Sequence, residues 1–121
     1  MEDRAYIAVV DDDESVRESL PDLLRVFGHE AETFSSAEEF LGSRRIDKTK
    51  CLVLDIAMPG MSGIELQREL TRQGRKIPIV FITAHGDEQI CRRLRQSGAV
   101  ECLLKPFTDT ALLDALNSVL Q

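Results

Sequence analysis

The chain has 121 residues, of which 43% are hydrophobic and 30% are charged, so it fits one globular domain and not a disordered segment. Its formal net charge of −6 argues against direct binding to nucleic acid or to an anionic membrane. No apolar run is long enough to cross a membrane, and the amino terminus does not resemble a signal peptide. We therefore expect a single cytoplasmic domain over residues 1–121, in which all three cysteines are reduced thiols.

Five short apolar runs alternate along the chain with longer amphipathic stretches. The runs are continuous rather than alternating in polarity, which is typical of parallel strands that are covered on both faces. They cover residues 6–10, 31–34, 51–54, 79–82 and 102–104. This repeated strand–helix order predicts an α/β fold, a doubly wound five-stranded parallel sheet with five helices and right-handed crossovers.

The stretches between the runs carry helix start and stop signals. Three of them begin with a Ser-x-x-Glu sequence, whose spacing is that of a capping box. These sequences start at Ser15, Ser36 and Ser62. Four stretches are followed by a glycine, a residue typical of helix ends. These glycines are Gly28, Gly42, Gly74 and Gly98. The signals therefore predict a helix between successive strands.

Polar residues stand where four of the predicted strands end. An acidic triplet at 11–13 follows the first run, and Asp55 follows the third. Thr83 follows the fourth run, and Lys105 follows the fifth. Each of these residues alone is more often a cap, a strand residue or a surface charge. Because parallel strands place their carboxyl ends at one edge of the sheet, their joint placement predicts a functional site.

The residue types at this edge favour a divalent cation and a phosphoryl group. Clustered carboxylates repel each other unless a cation joins them, and oxygen ligands without histidine or thiolate suit Mg²⁺. A metal ion beside a lysine and a hydroxyl is suited to stabilising a phosphoryl group during transfer. Asp55 is the candidate nucleophile, since a carboxylate can form an aspartyl phosphate.

Four blocks of sequence around these positions resemble the receiver domain of two-component response regulators. The blocks follow the family's order and spacing, and the resemblance extends over essentially the whole chain. They are Val9-Val10-Asp11-Asp12-Asp13, Asp55-Ile56-Ala57-Met58-Pro59-Gly60-Met61-Ser62-Gly63, Ile82-Thr83-Ala84 and Lys105-Pro106-Phe107. Two further stretches, 84–87 and 98–100, are most similar to the subfamily with a helix-turn-helix output domain. The resemblance implies a flavodoxin-like sheet with strand order 2-1-3-4-5.

The resemblance also implies a phosphoacceptor and a metal site. Asp55 would be the phosphoacceptor and would attack the phosphohistidine of a sensor histidine kinase. Asp12 and Asp55, together with the backbone carbonyl of Ala57, would bind Mg²⁺. Asp11 would assist, either directly or through water.

Phosphate-binding and switch residues are implied in the same way. Lys105 would pair with the phosphoryl oxygens, oriented by a cis peptide bond to Pro106. Thr83 would turn its hydroxyl toward the phosphate, and Ala84 is small enough to leave the approach open. The family usually has an aromatic residue three positions before the lysine, where this chain has Cys102. We expect this small side chain to weaken the mechanical link between Thr83 and the output face.

The function implied is a signalling switch and not a metabolic enzyme. Phosphorylation would alter the face formed by the fourth helix, the fifth strand and the fifth helix, through which a phosphorylation-dependent homodimer would form. Transcription would be controlled through a separate DNA-binding domain, so the chain ending at Gln121 is expected to be a piece of a longer regulator. The implied domain itself binds neither nucleic acid nor membrane.

Three alternatives remain open at this stage. A phosphatase of the haloacid dehalogenase type also uses a strand-end aspartate, Mg²⁺, a hydroxyl and a lysine. That class resembles D-x-D at the nucleophile, whereas Ala57 takes the place of the second aspartate here, and 121 residues leave no room for a cap domain. The other two are a complete single-domain regulator and a scaffold that keeps the fold without using phosphate.

Overall fold

A computed structural model describes residues 5–84, 88–96 and 101–120. Strands and helices alternate along these residues, with a 3-10 turn at Ile46–Lys48. The strands are β1 (Tyr6–Val10), β2 (Glu30–Phe34), β3 (Cys51–Asp55), β4 (Ile79–Thr83) and β5 (Glu101–Leu104). The helices are α1 (Glu14–Val26), α2 (Ala37–Leu41), α3 (Gly63–Arg72), α4 (Glu88–Gln96) and α5 (Asp109–Leu120). Stretches 85–87 and 98–100, with Gly98, lie outside the described residues.

All five strands pair in parallel in one sheet, in the order β2-β1-β3-β4-β5. The predicted fold class and strand order are therefore confirmed. Strand order reverses between β1 and β3, because β1 pairs on one side with β2 and on the other with β3. Open sheets of this kind bind ligands beyond the carboxyl ends of the strands at such a point.

Two hydrophobic layers cover the sheet. Ala8 and Val10 of β1 pack with buried residues of α2, α3 and α4, and Ile7 and Val9 pack with those of α1 and α5. This alternation explains why the strands are apolar on both faces, since each face lies under helices. In the described part of the chain, no helix has the length and apolar character needed to cross a membrane.

The capping signals were correct at two helices and wrong at one. Ser62 begins α3 with a full capping box, and Ser36 caps α2 by accepting from the amide of Glu39 at 3.1 Å. At α1 the cap is Asp13, whose carboxylate accepts from the amide of Ser15 at 3.0 Å and from its hydroxyl at 2.8 Å. The charged side chain of Asp13, two residues earlier, therefore starts the helix, and the predicted box at Ser15 does not form.

The expectation of three reduced thiols is wrong for two of them. Cys91 of α4 and Cys102 of β5 form a disulfide with their Cα atoms 5.3 Å apart, and Cys51 is the free cysteine. The pairing arises because α4 packs on β5, which brings residues 11 positions apart into the distance range of a disulfide. The sequence contains no Cys-x-x-Cys spacing that would predict this disulfide, because the bond joins a helix to a strand.

Gly63 couples the start of α3 to the end of β3. Its amide donates to the carbonyl of Ile56 at 2.9 Å, and a Cβ at this position would overlap the carbonyl oxygen of Asp55 and lie 3.0 Å from the Cα of Ile56. Only a residue without a side chain lets the helix approach the strand end so closely. The backbone of Asp55 is therefore held by a packing contact that glycine alone permits.

We expect Gly63→Ala to destabilise the protein by about 2 kcal/mol, because the methyl group meets backbone atoms that cannot move aside. Urea unfolding would measure this change. The matched control is Gly42→Ala, where the nearest atoms lie 3.7 and 3.8 Å from the new Cβ and φ is −86°, so a change within about 0.5 kcal/mol is expected. Equal effects at the two glycines would contradict the role given to Gly63.

Candidate functional site

The sheet register brings the predicted polar residues to one edge. Asp55 ends β3 opposite Ile82, and Thr83 ends β4 opposite Leu104. Asp11 directly follows β1, and the amide of Lys105, which directly follows β5, donates to the carbonyl oxygen of Thr83 at 2.7 Å. The convergence expected from the sequence is therefore present in the fold.

Asp11 is fully buried and is held on several sides. Its amide donates to the carbonyl of Phe34 at 3.1 Å, and its Oδ1 accepts from the amide of Asp13 at 2.9 Å. The guanidinium of Arg17 donates to its carbonyl oxygen at 3.0 Å. Its Oδ2 accepts no well-directed hydrogen bond, and the Nζ of Lys105 lies 2.8 Å away as its ion-pair partner. A buried carboxylate oxygen thus faces the site with free coordination capacity.

Asp55 lies beside Asp11, and its carboxyl group has a raised pKa. Its carboxylate is 3.9 Å from the Nζ of Lys105. Burial, followed by the negative charge of Asp11, raises the pKa of Asp55 to about 7, and the positive charge of Lys105 only partly offsets this. The ionised form of Asp55 is therefore unstable in this site unless a further cation approaches.

Lys105 carries the opposite charge at the same edge. Burial alone lowers the pKa of Lys105, but the close contact with the Asp11 carboxylate, together with the charge of Asp55, raises the pKa above its usual value. Its side chain is 23% exposed, so the ammonium remains open to a ligand on the solvent side. The site therefore presents a permanent positive charge next to two buried carboxylates.

The acidic group fits a hard divalent cation. Asp11, Asp12 and Asp55 each offer a carboxylate oxygen, and these oxygens lie within 4.8 Å of one another. Asp12 is exposed while the other two are buried, so the group is open to solvent on one side. All-oxygen ligation with room for water is the arrangement that Mg²⁺ prefers, and the buried Oδ2 of Asp11, which has an ion-pair partner but no well-directed hydrogen bond, supports the fit.

The remaining predicted site residues surround this centre. Thr83 is fully buried at the end of β4, and the next residue, Ala84, is exposed. Ala57 is exposed two residues after Asp55, and a backbone hydrogen bond from it lowers the pKa of that aspartate. The peptide bond between Lys105 and Pro106 is cis, as predicted.

Cys102 differs from its prediction. It was expected to be a small free side chain able to slip inward, but it is fully buried and covalently bonded to Cys91. A bonded sulfur cannot change position without moving α4. Any part that Cys102 takes in the predicted signal relay therefore also involves α4.

Two supporting residues were missed by sequence reasoning. Arg17 of α1 holds the carbonyl of Asp11, and Glu38 of α2 accepts from the amide of Met61 at 3.1 Å, in the loop that follows Asp55. Arg17 is half-buried and Glu38 is exposed, and both are charged helix residues for which sequence offers no means of separating a positioning role from solubility. Only the packing of α1 and α2 on the sheet identifies them.

A flavodoxin-like sheet with this site at its switch point defines the class, which is a doubly wound α/β protein with an acidic site suited to a divalent cation and a phosphoryl group. The sequence model of the response regulator receiver domain matches residues 7–117. The chain therefore belongs to the response regulator receiver family. This assignment gives no support to the phosphatase alternative.

Curated relatives are longer than this chain. Nodulation protein W of Bradyrhizobium diazoefficiens is 50% identical over 113 residues, which are 93% of this chain and 50% of that protein. Response regulator protein TodT of Pseudomonas putida is 43% identical over 122 aligned residues, covering 100% of this chain and 54% of that protein. The chain thus spans about half the length of the curated relatives it matches.

Solved structures agree with the family. The response regulator StyR is 56% identical and superposes with a TM-score of 0.87, covering 98% of this chain and 60% of that one. The structure titled FixJ-N is 37% identical with a TM-score of 0.84, covering 98% of this chain and 94% of that one. This chain therefore has the fold of a receiver domain over 98% of its length.

Proposed function

We propose that the chain is the phosphoacceptor switch of a two-component response regulator. A sensor histidine kinase would supply the phosphoryl group, and Asp55 would accept it. The observation that carries the proposal is the placement of Lys105, whose ammonium lies 2.8 Å from Asp11 and 3.9 Å from Asp55. One positive charge next to two buried carboxylates is suited to binding both the nucleophile and the group transferred to it.

The proposed transfer is a displacement at phosphorus. An oxygen of the Asp55 carboxylate forms the new bond to phosphorus while the phosphorus–nitrogen bond of phosphohistidine breaks, and its electron pair returns to the imidazole. Lys105 stabilises the negative charge on the phosphoryl oxygens, so its place at the end of β5 orients the group toward β3. The chain promotes its own modification and is not a metabolic enzyme.

Asp11, Asp12 and Asp55, with the backbone carbonyl of Ala57, would hold Mg²⁺ in this proposal. When bound, Mg²⁺ supplies charge neutralisation for the carboxylates and for the phosphoryl oxygens. The proposal gives Thr83 and Ala84 the phosphate-facing positions on the β4 side. Thr83 would then hydrogen bond to the new phosphate and transmit its presence to β5. The amide of Lys105, the residue after β5, already donates to the carbonyl oxygen of Thr83.

Names of the longer relatives suggest the output. Transcriptional regulatory protein FixJ of Rhizobium meliloti is 39% identical over 110 residues, which are 54% of its length. We propose by analogy that this chain controls transcription through a separate DNA-binding domain, in the cytoplasm, where a histidine kinase would reach it. The net charge of −6 fits a domain that does not itself bind DNA.

Treatment with acetyl phosphate and Mg²⁺, followed by intact-mass measurement, tests the proposed function. We expect the mass of one phosphoryl group to be gained, and we expect the gain to disappear when Mg²⁺ is chelated. A mass that stays unchanged under every condition, in protein with native circular dichroism, would leave the scaffold alternative standing.

A phosphorylation-dependent homodimer is proposed through the face formed by α4, β5 and α5. This face carries both charge signs on exposed side chains, with Arg92, Arg93 and Arg95 on α4 and Asp109 and Asp114 on α5. In a two-fold dimer, the arginines of α4 in one copy can face the aspartates of α5 in the other copy, and the reverse pairing follows by symmetry. We expect a stable phosphoryl mimic to convert the monomer to a dimer, and analytical ultracentrifugation would measure this change.

Reversing one charge on this face should weaken the dimer. We expect Arg93→Glu to raise the dimer dissociation constant at least tenfold, which corresponds to about 1.4 kcal/mol. Arg68→Glu is the matched control, because Arg68 is an exposed arginine of α3 and is therefore on another face. Because the Cys91–Cys102 bond lies within the dimer face, both variants should be measured with and without a thiol reductant. Identical behaviour of the two variants would place the interface elsewhere.

A further inference from the structure

The disulfide between Cys91 and Cys102 joins two elements of the face that phosphorylation is proposed to alter. Cys91 is on α4, Cys102 is on β5, and Lys105 directly follows β5, three positions after Cys102. In the register of the sheet, Leu104 lies opposite Thr83, and the amide of Lys105 is bonded to that threonine. The bond therefore attaches α4 to the strand that ends in the proposed phosphoryl site.

Among the described residues, a cavity lies beside the Cys91 side of the bond. Cys91 lines a cavity of about 420 Å³ together with Glu88, Arg92, Arg95, Gln96 and Leu104. Cys102 is fully buried, whereas Cys91 retains 3% exposure. Of the two bonded cysteines, Cys91 is therefore the one next to the space that a small thiol could enter. The two guanidinium groups, set against one carboxylate, make the entrance favourable for an anionic thiolate.

The third cysteine cannot interfere with this bond. Cys51 is fully buried in β3 and packs in the layer under α1 and α5, while Cys91 and Cys102 pack in the opposite layer. Burial raises the pKa of Cys51 to about 12, so it stays a protonated thiol at neutral pH. The sheet thus separates one inert thiol from one bonded pair, and the disulfide has no competing partner among the described cysteines.

We propose that Cys91 and Cys102 form a thiol-redox site that, when oxidised, clamps α4 to β5 and restrains the response of this face to phosphorylation. A cytoplasmic setting keeps most thiols reduced, so closure would follow a rise in low-molecular-weight disulfides. The inference about the clamp stands on the geometry of α4 and β5, and only its effect on signalling rests on the proposed function. Nothing in the family assignment specifies such a bond.

The chemistry is two successive thiol–disulfide exchanges. To open the bond, a small thiolate attacks the sulfur of Cys91, the bond between the two protein sulfurs breaks, and Cys102 leaves as a thiolate that takes up a proton. A second small thiolate then attacks the outer sulfur of the mixed disulfide on Cys91, releasing a small disulfide and the Cys91 thiol. Closure is the reverse, in which one small disulfide is reduced to two thiols while the protein loses two electrons and two protons.

Thiol counting tests the site itself. After equilibration with oxidised glutathione, denaturation and alkylation, we expect one modified cysteine, and after reduced glutathione we expect three. Reduction should also lower the melting temperature by about 10 °C, since a loop closed over 11 residues loses its constraint. Three modified cysteines after the oxidising treatment would overturn the proposal.

Amide hydrogen exchange tests the clamp without any phosphate. We expect exchange in 88–96 to become at least tenfold faster on reduction, while exchange in α3 changes little. Cys91→Ser should exchange at the rate of the reduced parent under both treatments, and Cys51→Ala should keep the redox difference. If Cys91→Ser does not fold, the reduced parent supplies the same comparison. Equal exchange in oxidised and reduced parent would overturn the clamp.

Phosphorylation in both redox states tests the coupling. We expect acetyl phosphate to label Asp55 in both forms, with the dimer dissociation constant at least tenfold higher in the oxidised one. Labelled protein that dimerises equally in both states would overturn the restraint on signalling. Absence of labelling in both states would instead overturn the proposed function, while thiol counting and hydrogen exchange would still decide the clamp.

Discussion

Asp55→Asn is expected to abolish labelling of the chain by acetyl phosphate. The amide nitrogen and oxygen of asparagine are poor nucleophiles, and the side chain keeps the size and position of the carboxylate at the end of β3. Asp55 ends the central strand β3, with its carboxylate 3.9 Å from the Nζ of Lys105 and only 5% of the residue exposed. Intact-mass measurement after treatment with acetyl phosphate and Mg²⁺ reads the result directly.

A stability measurement separates lost chemistry from lost folding in this variant. Because the folded state raises the pKa of Asp55 to about 7, its ionised form at pH 8 costs stability in the metal-free protein. Asparagine carries no charge, so the metal-free variant should be more stable than the parent at pH 8, by about 2 kcal/mol. Asp47→Asn, an exposed change remote from the site, should label normally. Undiminished labelling of Asp55→Asn would refute the assignment.

Adding Mg²⁺ is expected to stabilise the protein in the absence of any phosphodonor. Asp11, Asp12 and Asp55 converge only in the folded state, so a cation that joins them binds the native form alone. At a hundredfold excess over the dissociation constant this adds about 2.7 kcal/mol to the free energy of unfolding. For a chain of this length the melting temperature should rise by about 10 °C. Differential scanning calorimetry with and without Mg²⁺ measures the shift.

Asp12→Ala should remove most of this stabilisation and little else. Asp12 is exposed, so its loss opens no cavity and breaks no packing. Asp22→Ala is the matched control, because Asp22 is an exposed aspartate of α1 whose side chain is 84% accessible and pairs only at the surface with Arg25. The control should keep the full shift. If the melting temperature of the parent protein were the same with and without Mg²⁺, this result would argue against the metal site.

Patterns local in sequence predicted the larger part of the fold. Continuous apolar runs identified four strands, because parallel strands under helices on both faces need apolar residues at successive positions, whereas the edge strand β2 contains two glutamates and was indicated by a weaker run. The same runs located the site, since a strand end is a position along the sequence. Asp55 and Thr83 could therefore be placed at one edge before any distance between them was known.

Features that depend on contacts between elements were not predictable in this way. The disulfide joins Cys91 and Cys102, whose meeting depends on the angle at which α4 packs on β5. The start of α1 at Asp13 rather than Ser15 was decided by competition between two nearby capping groups. Arg17 reaches the carbonyl of Asp11 only because α1 lies along the end of β1. The disulfide and the Arg17 contact need the relative placement of two elements, whereas the start of α1 is a local competition that spacing alone did not decide.

Strand order has a consequence for how the chain becomes competent during synthesis. β1 must wait for β3 before it has a neighbour on its second side, and the residues that meet at the site are spread from Asp11 to Lys105. A ribosome-bound chain that has emerged as far as β4 carries every carboxylate of the site but not the lysine. Its acidic residues would repel one another without a fixed counter-charge. Chemical competence is therefore expected only once β5 has been added to the sheet, which makes the last strand the one that completes the charge balance of the site.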